Sequence, residues 1–326
     1  MKFKNKLLIS FFTLLLIIPL NIFAYSNYVI VGGETIGIEV NSKGVLVVGF
    51  YKINNSFIAK DAGFAIGDVI TKVNDKTVED INSMVSEVEK SNKQATFTVM
   101  RNNITKEIKL NLSEDENNVL KTGLYVKDKI NGVGTLTYID PESRIFGALG
   151  HEIIESTTAS KFEIKDGKIY DAKVSSIVKS RDGRAGEKNA NYNRNIIKGI
   201  IEENEISGIF GKYNYDINTD NKLEVGKSSN VKPGEAKIRT VIEDDKVEEF
   251  TINILRLDEY SKTKNILFEI TDNRLLEKTG GIIQGMSGSP IIQDNKIIGA
   301  VNYVIVNSTA KGYGVFITTM LEEGEK

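Results

Sequence analysis

Thr279–Ile292 reads TGGIIQGMSGSPII, and its centre, Gly285-Met286-Ser287-Gly288-Ser289-Pro290, decides how the rest of the chain is read. Glycines on either side of Ser287 let the backbone turn sharply, in conformations a β-carbon resists. Such a turn can aim the amides of Gly285 and Ser287 at one point, and two converging N–H donors can hold an oxyanion. Pro290 then leads into an apolar strand, Ile291–Ile292. A serine in this setting needs a general base, and histidine is the usual one. The chain has a single histidine, His151, in the glycine-rich corner GALGHEI (Gly147–Ile153) that follows the strand-like GVGTLTYID. A lone histidine is commonly a surface or satisfied core residue, but this corner, upstream of this serine, favours the base. A third, acidic member stays open on the residues alone. Asp272, in EITDNRLL (Glu269–Leu276), competes with Asp171, Asp182 and Glu152.

Bulk properties narrow the field. At 326 residues, two folded units are the natural expectation. With 42 basic and 44 acidic residues, charge is nearly balanced, and nothing resembles a nucleic-acid footprint. Absence of cysteine excludes disulfides, thiolate metal sites and cysteine nucleophiles. One histidine makes a zinc site improbable, and neither metal nor cofactor is expected. Lys2, Lys4 and Lys6 precede the apolar run Leu7–Phe23, the pattern of a secretory signal, with Ala24 able to close a cleavage site. The run is also close to the ~20 residues that span a bilayer, so residues 1–26 read as a signal peptide or membrane anchor.

Along the rest of the chain, Gly44–Phe50 and Ala95–Met100 are β-branched runs of strand length. Between them, Val78–Lys90 has apolar residues at Val78, Ile81, Val85 and Val88, a helical spacing. Ser113–Asn118 (SEDENN) reads as a linker between a unit at 27–112 and one at 119–326. The second unit has a β texture, with runs such as Gly132–Ile139, Lys168–Val178, Phe250–Leu255, Asn265–Ile270 and Lys296–Ile305. That spacing suits a barrel or sandwich. A helix is expected there only around Asn195–Glu203.

Two resemblances follow. Asp61–Ile81, DAGFAIGDVITKVNDKTVEDI, resembles the centre of a PDZ domain, with turns at Ala62-Gly63 and Gly67-Asp68 and a hairpin at Asn74-Asp75. Upstream, Gly32–Val40 (GGETIGIEV) resembles the carboxylate-binding loop and edge strand of that family. The resemblance implies that Gly33, Glu34, Thr35, Ile36, Gly37 and Ile38 bind a peptide, either a C-terminus or the chain's own N-terminal segment. The G-x-S-G-S-P core resembles the nucleophile segment of chymotrypsin-like serine proteases, where the histidine also precedes the serine. The implied fold is mostly β: an N-terminal PDZ domain (α+β), then a chymotrypsin-like double β-barrel.

Taken whole, the leader, the PDZ-like stretch, GVGTLTYIDPESRIFGALGHEI and ITDNRLLEKTGGIIQGMSGSPII are similar to the stage IV sporulation protein B family of serine peptidases. That resemblance implies His151, Asp272 and Ser287 as a triad, with an oxyanion hole at Gly285 and Ser287. It implies export into the forespore intermembrane space, self-cleavage, and clipping of a membrane-bound regulator that leads to late sigma-factor processing. Where the family carries a further histidine after the nucleophile, this chain has Tyr303. Two other readings are a non-catalytic PDZ and protease-like binding module and a general envelope quality-control protease. In the latter group the PDZ module follows the protease, whereas here it comes first.

Overall fold

The computed structural model describes residues 25–325, so residues 1–24 of the expected leader lie outside the described residues. The chain enters by β1 (Tyr28–Val31) and β2 (Thr35–Phe50). The far half of β2 opens a small α+β unit that continues through α1 (Ile58–Asp61), β3 (Val69–Val73), α2 (Ile81–Glu89), β4 (Gln94–Arg101) and β5 (Ile104–Asn111). The chain leaves along β6 (Leu124–Ile139), antiparallel to β2 from Phe50↔Leu124 back to Thr35↔Thr135. The small unit is therefore carried on the end of a long two-stranded ribbon.

Local chemistry sets its elements. Asp80 caps α2, its carboxylate accepting the Ser83 N–H at 2.7 Å while the Ser83 hydroxyl accepts the Asp80 N–H, which satisfies otherwise orphaned donors. The buried face of α2 is Met84 and Val88, and Val85, expected in the core, is 42% exposed. Asn74 and Asp75 both have positive φ, 48° and 64°, the two-residue turn whose twist matches a hairpin. Val45, Val47, Ile70, Phe97, Val99 and Leu110 fill the core of this unit. At its margin the fully buried Asp68 carboxylate accepts from the Arg101 guanidinium at 2.6 Å and from the Ala65 N–H at 2.9 Å.

Beyond the ribbon come β7 (Ile145–Ala148), β8 (Ile164–Val178), β9 (Gly186–Glu205) and β10 (Gly208–Tyr213). Pairing runs β2–β8–β9–β10–β7–β6 and back to β2, a closed six-stranded barrel. Ile36, Ile38, Leu136, Phe146, Ile169 and Ile201 fill it. After β11 (Lys222–Val225) a second barrel is built from β12 (Gly234–Val241), β13 (Val247–Leu257) and β14 (Ile266–Ile270). Following α3 (Asn273–Thr279) it is completed by β15 (Pro290–Gln293), β16 (Lys296–Val304) and β17 (Lys311–Phe316). Its ring runs β12–β13–β14–β17–β16–β15–β12 around Ile238, Phe250, Ile252, Phe268 and Ile291. A C-terminal helix, α4 (Ile317–Gly324), buries Ile317, Met320 and Leu321 with Val29, Val31, Tyr138 and Phe210, joining the barrels. Closure removes the free strand edges that open sheets must protect. The molecule is mostly β, with a double-barrel body.

Three expectations are corrected. Residues 28–41 belong to the barrel body, because β1 pairs with β6 and β11 and the near half of β2 pairs with β6 and β8. The α+β unit is thus an insertion in the body's first ribbon, not a segment that starts at residue 27. Ser113–Asn118 is no bare linker either, since Ser113–Glu114 pairs with Leu120–Lys121 as a short hairpin. Asn195–Glu203 is strand: β9 has partners on both sides, β8 and β10, and Gly199 at its centre weakens a helix by about 1 kcal/mol.

Replacing Arg101 by Ala leaves the wholly buried Asp68 carboxylate without its counter-charge. Urea unfolding is expected to show a loss of about 3 kcal/mol, and a loss under ~1 kcal/mol would contradict the role given to this pair.

Candidate active site

Ser287 lies on a turn that both barrels pin in place. From the first barrel, the Thr135 N–H donates to the Ser287 carbonyl (3.0 Å), the Thr135 hydroxyl to the Gly285 carbonyl (2.7 Å), and the Thr137 hydroxyl to the Gly288 carbonyl (2.7 Å). From the second, the Val301 carbonyl accepts the Gly288 N–H at 2.7 Å. Gly288 has φ of +93°, and a β-carbon there would stand 2.1 Å from the Thr135 carbonyl oxygen, so glycine is required. Within the turn, Met286 donates to Ile283 and Ser289 to Met286. The Gly285 and Ser287 N–H groups take no part in this pattern. Ser287 is the partly exposed member of the turn, and Ser289 is wholly buried. The Ser287 hydroxyl donates to the Asn302 carbonyl at 3.2 Å.

His151 stands on the other side of the same seam. Leu149 and Gly150, with φ of 70° and 71°, turn the chain out of β7. The Leu149 N–H reaches the Thr135 carbonyl (3.3 Å), so Thr135 holds both the histidine turn and the serine turn. A β-carbon on Gly150 would lie 2.9 Å from the Val301 carbonyl oxygen and 3.3 Å from Asn302 Cβ. The imidazole Nδ1 lies 2.8 Å from the Glu152 carbonyl, an acceptor, so the proton sits on Nδ1 and Nε2 keeps its lone pair. The ring stacks on Tyr303, with centroids 5.4 Å apart and planes at 20°. Burial pushes the imidazole below its usual pKa, against the Glu152 carbonyl and carboxylate, which favour the charged form. Burial thus favours the neutral imidazole.

The other site expectations fare differently. Asp272 is not brought to His151. It is the N-cap of α3, accepting from the Arg274 N–H (2.9 Å) and the Leu275 N–H (3.4 Å) and pairing with the Arg274 guanidinium (3.0 Å). Burial works to raise its carboxyl, but Arg274 and the helix N–H groups outweigh that and hold it below the usual range. Asp171 pairs with Lys198, and Asp182 accepts from Thr309. Glu152 is the carboxylate whose charge bears on His151.

Gly33–Ile38 is corrected as a peptide edge. The strand residues of this stretch lie in the first barrel, with β6 on one side and β8 on the other, so no free edge remains. The loop amides are also spent, Gly32 N–H on Thr137 and Gly33 N–H on Leu136. Among the described residues no cluster of His, Asp and Glu is arranged to hold a metal ion.

Reading the sequence missed four residues. Thr135 and Thr137 were legible in principle, as alternate hydroxyls in an otherwise apolar strand. Asn302 gave no signal. Nor did Lys188, which is 4% exposed, with its stem packed over Gly285 and its ammonium donating to the Thr240 hydroxyl at 2.8 Å. Burial lowers its pKa to about 7.

The family description SpoIVB peptidase S55 matches residues 118–321, and PDZ domain matches residues 35–112. No curated protein matches the chain. Among solved structures, the chain is similar to the PDZ domain of the SdrC-like protein from Listeria monocytogenes. That similarity is at 13% identity, over 27% of this chain and 90% of that one, with a TM-score of 0.23. The small unit is a PDZ domain, and the double barrel is a peptidase domain.

The buried Lys188 sets a pH signature. Its folded pKa lies below its unfolded one, so the unfolded chain binds the extra proton between about pH 7 and 10.5. Stability therefore rises with pH across that window and gains nothing from this residue below it. Lys188→Met is expected to flatten the rise in melting temperature between pH 7 and 9.5, and an unchanged slope would contradict its burial as an amine.

Proposed function

The chain belongs to the SpoIVB peptidase S55 family, and on that premise we propose that it is a serine endopeptidase with Ser287 as nucleophile and His151 as general base. One observation carries the reading. The turn that carries the partly exposed Ser287 and the turn that leads into His151 are both bonded to one residue, Thr135, and two peptide N–H groups are left out of the serine turn's own bonding.

In the reaction, His151 Nε2 takes the Ser287 proton as Oγ attacks a peptide carbonyl. The Gly285 and Ser287 amides receive the developing oxyanion, an interaction worth on the order of 3–4 kcal/mol per donor in comparable sites. The imidazolium then protonates the leaving amine, and water attacks the acyl-enzyme by the same route in reverse. The double barrel supplies rigidity, since the serine turn of the second barrel and the histidine turn of the first are both bonded to Thr135.

The family resemblance extends the proposal. The peptidase acts during sporulation, is exported or membrane-anchored, cleaves itself, and clips a membrane-bound regulator in the space between the forespore membranes. The PDZ domain captures a peptide end by strand addition, and β6 suits this better than Gly33–Ile38. From Leu124 to Val133 it is paired, among the described residues, on one side only, by β2, and Asp128 on it accepts the N-terminal Ile81 N–H of α2 at 2.9 Å. A dedicated regulator fits a PDZ domain wired into the barrel by a continuous ribbon better than a quality-control protease does.

The test is a time course of the chain from Tyr25 onward, with fragments read by mass spectrometry. Wild type is expected to cut itself at defined bonds. Ser287→Ala should give none of these fragments, and His151→Ala should slow them by 10³-fold or more, since no second histidine can stand in. The acid limb of the cleavage rate is expected below pH 6.5, because burial lowers the His151 pKa. Equal fragmentation by Ser287→Ala would overturn the assignment and favour a non-catalytic binding module cut by something else.

A further inference from the structure

The reaction above leaves one buried amine unused. Lys188 is 4% exposed, and a lysine so buried is rare unless a carboxylate pairs with it. No carboxylate does so among the described residues, and the ammonium's one hydrogen bond goes to the Thr240 hydroxyl at 2.8 Å. Methionine would fill the same space without the desolvation cost of an amine. A titratable group kept in the interior at that cost points to a use close by.

What lies close by is the serine turn. Gly186 and Glu187 pair in parallel with Ile283 and Gln284, which brings the next residue, Lys188, alongside Gly285. A β-carbon built on Gly285 would stand 3.1 Å from Lys188 Cβ, 3.3 Å from Cγ and 3.2 Å from Cδ, so the stem lies along that glycine. Gly285 has φ of +93°, and its amide is one of the two assigned to the oxyanion. Two bonds past Cδ, the ammonium lies within about 6 Å of the same point. In a site closed to water, a charge at that range is felt far more strongly than in solvent. Every element packed against the lysine meets it with an uncharged group: Ile177 opposite it on β8, Thr240 on β12, and Gly285 itself. The charged residues beside these, Glu187 on β9 and Arg239 on β12, alternate to the other faces of their strands.

We propose that Lys188 is the positioning residue of the oxyanion turn: its stem holds Gly285 in place, and its ammonium lends the turn a positive charge to set against the oxyanion. This rests on the serine-peptidase reading. The charge gives the site a second dependence on pH. Burial brings the amine's pKa down to about 7, so the supporting proton leaves as pH rises through neutrality. His151 must lose its proton to act as base, whereas Lys188 must keep its own. Activity is therefore confined between the two titrations. Stability runs the other way, since the neutral amine is the easier one to bury. Activity lost above pH 7 thus accompanies a firmer fold, which separates it from alkaline unfolding.

The experiment measures the rate of labelling by a fluorophosphonate probe across the pH range, with Ser287→Ala as the blank and the melting temperature read at each pH. Wild type is expected to rise through the His151 limb and then fall about 10-fold above neutral pH, while its melting temperature holds or climbs. Lys188→Met keeps the stem and removes the charge. It should label about 10-fold more slowly than wild type near pH 6.5, match wild type near pH 9, and lack the alkaline fall. Thr240→Val removes the ammonium's acceptor, so the alkaline limb should move to lower pH. A flat wild-type rate above pH 7, or an alkaline fall kept in Lys188→Met, overturns the proposal. So does an alkaline limb unmoved in Thr240→Val, an arm that decides the matter even if Lys188→Met fails to fold. A folded wild type that takes no probe at any pH sinks the serine-peptidase reading itself, whereas a labelled wild type with no alkaline fall sinks only the role of Lys188.

Discussion

Thr135 gives its N–H to the carbonyl of Ser287, its hydroxyl to the carbonyl of Gly285, and its own carbonyl to the N–H of Leu149. It belongs to the first barrel and is wholly buried, so each of these bonds lies where water cannot replace it. The serine turn, contributed by the second barrel, and the histidine turn, contributed by the first, are thereby referred to one point. Gly288 completes the constraint, because a side chain there would collide with the same carbonyl. A two-barrel body that could slide at its seam would separate Ser287 from His151, and the proposed chemistry tolerates little such misplacement. The packing of α4 across both barrels serves the same end from the far side.

The mode of attachment of the PDZ domain follows from a second constraint. β2 and β6 run, with register shifts between Asn41 and Leu46 and between Val47 and Gly49, from the barrel wall, beside Thr135, to the core of the PDZ unit, where Val47 and Leu124 are buried. A peptide bound to that unit would lie at one end of a ribbon whose other end holds the turns of Ser287 and His151. The buried Glu155 carboxylate braces the junction: burial would raise it, but Lys127 at 2.7 Å and the Thr157 and Thr158 N–H groups hold its pKa at about 2.

Much of this was legible in the sequence, and for physical reasons. The turn around Ser287 needs glycines at fixed offsets, and those glycines are visible. The hairpin at Asn74-Asp75 needs two left-handed residues, and the same device recurs at Asn102-Asn103 and Asp294-Asn295. What escaped were facts of long-range pairing. Nothing in GGETIGIEV says that its strand is covered on both edges, because alternation reports which face is buried and not which edge is paired. Ile196, Ile197, Ile200 and Ile201 mimic one face of a helix, yet two waiting strands decide the matter. The acid next to Ser287 in sequence forms a local cap, while Asn302, fifteen residues on the other side, gives its carbonyl to the Ser287 hydroxyl through the barrel. Local sequence carries caps and turns well and carries seams poorly.

The central claim is that Ser287, whose turn Thr135 ties to the turn leading into His151, is an activated nucleophile. Peptide mapping of the chain after exposure to a fluorophosphonate tests it most directly, by locating the covalent adduct. The account predicts one adduct, on the Ser287 oxygen, absent in His151→Ala. An adduct on Ser289 or elsewhere, or none on a folded wild-type chain, would contradict it.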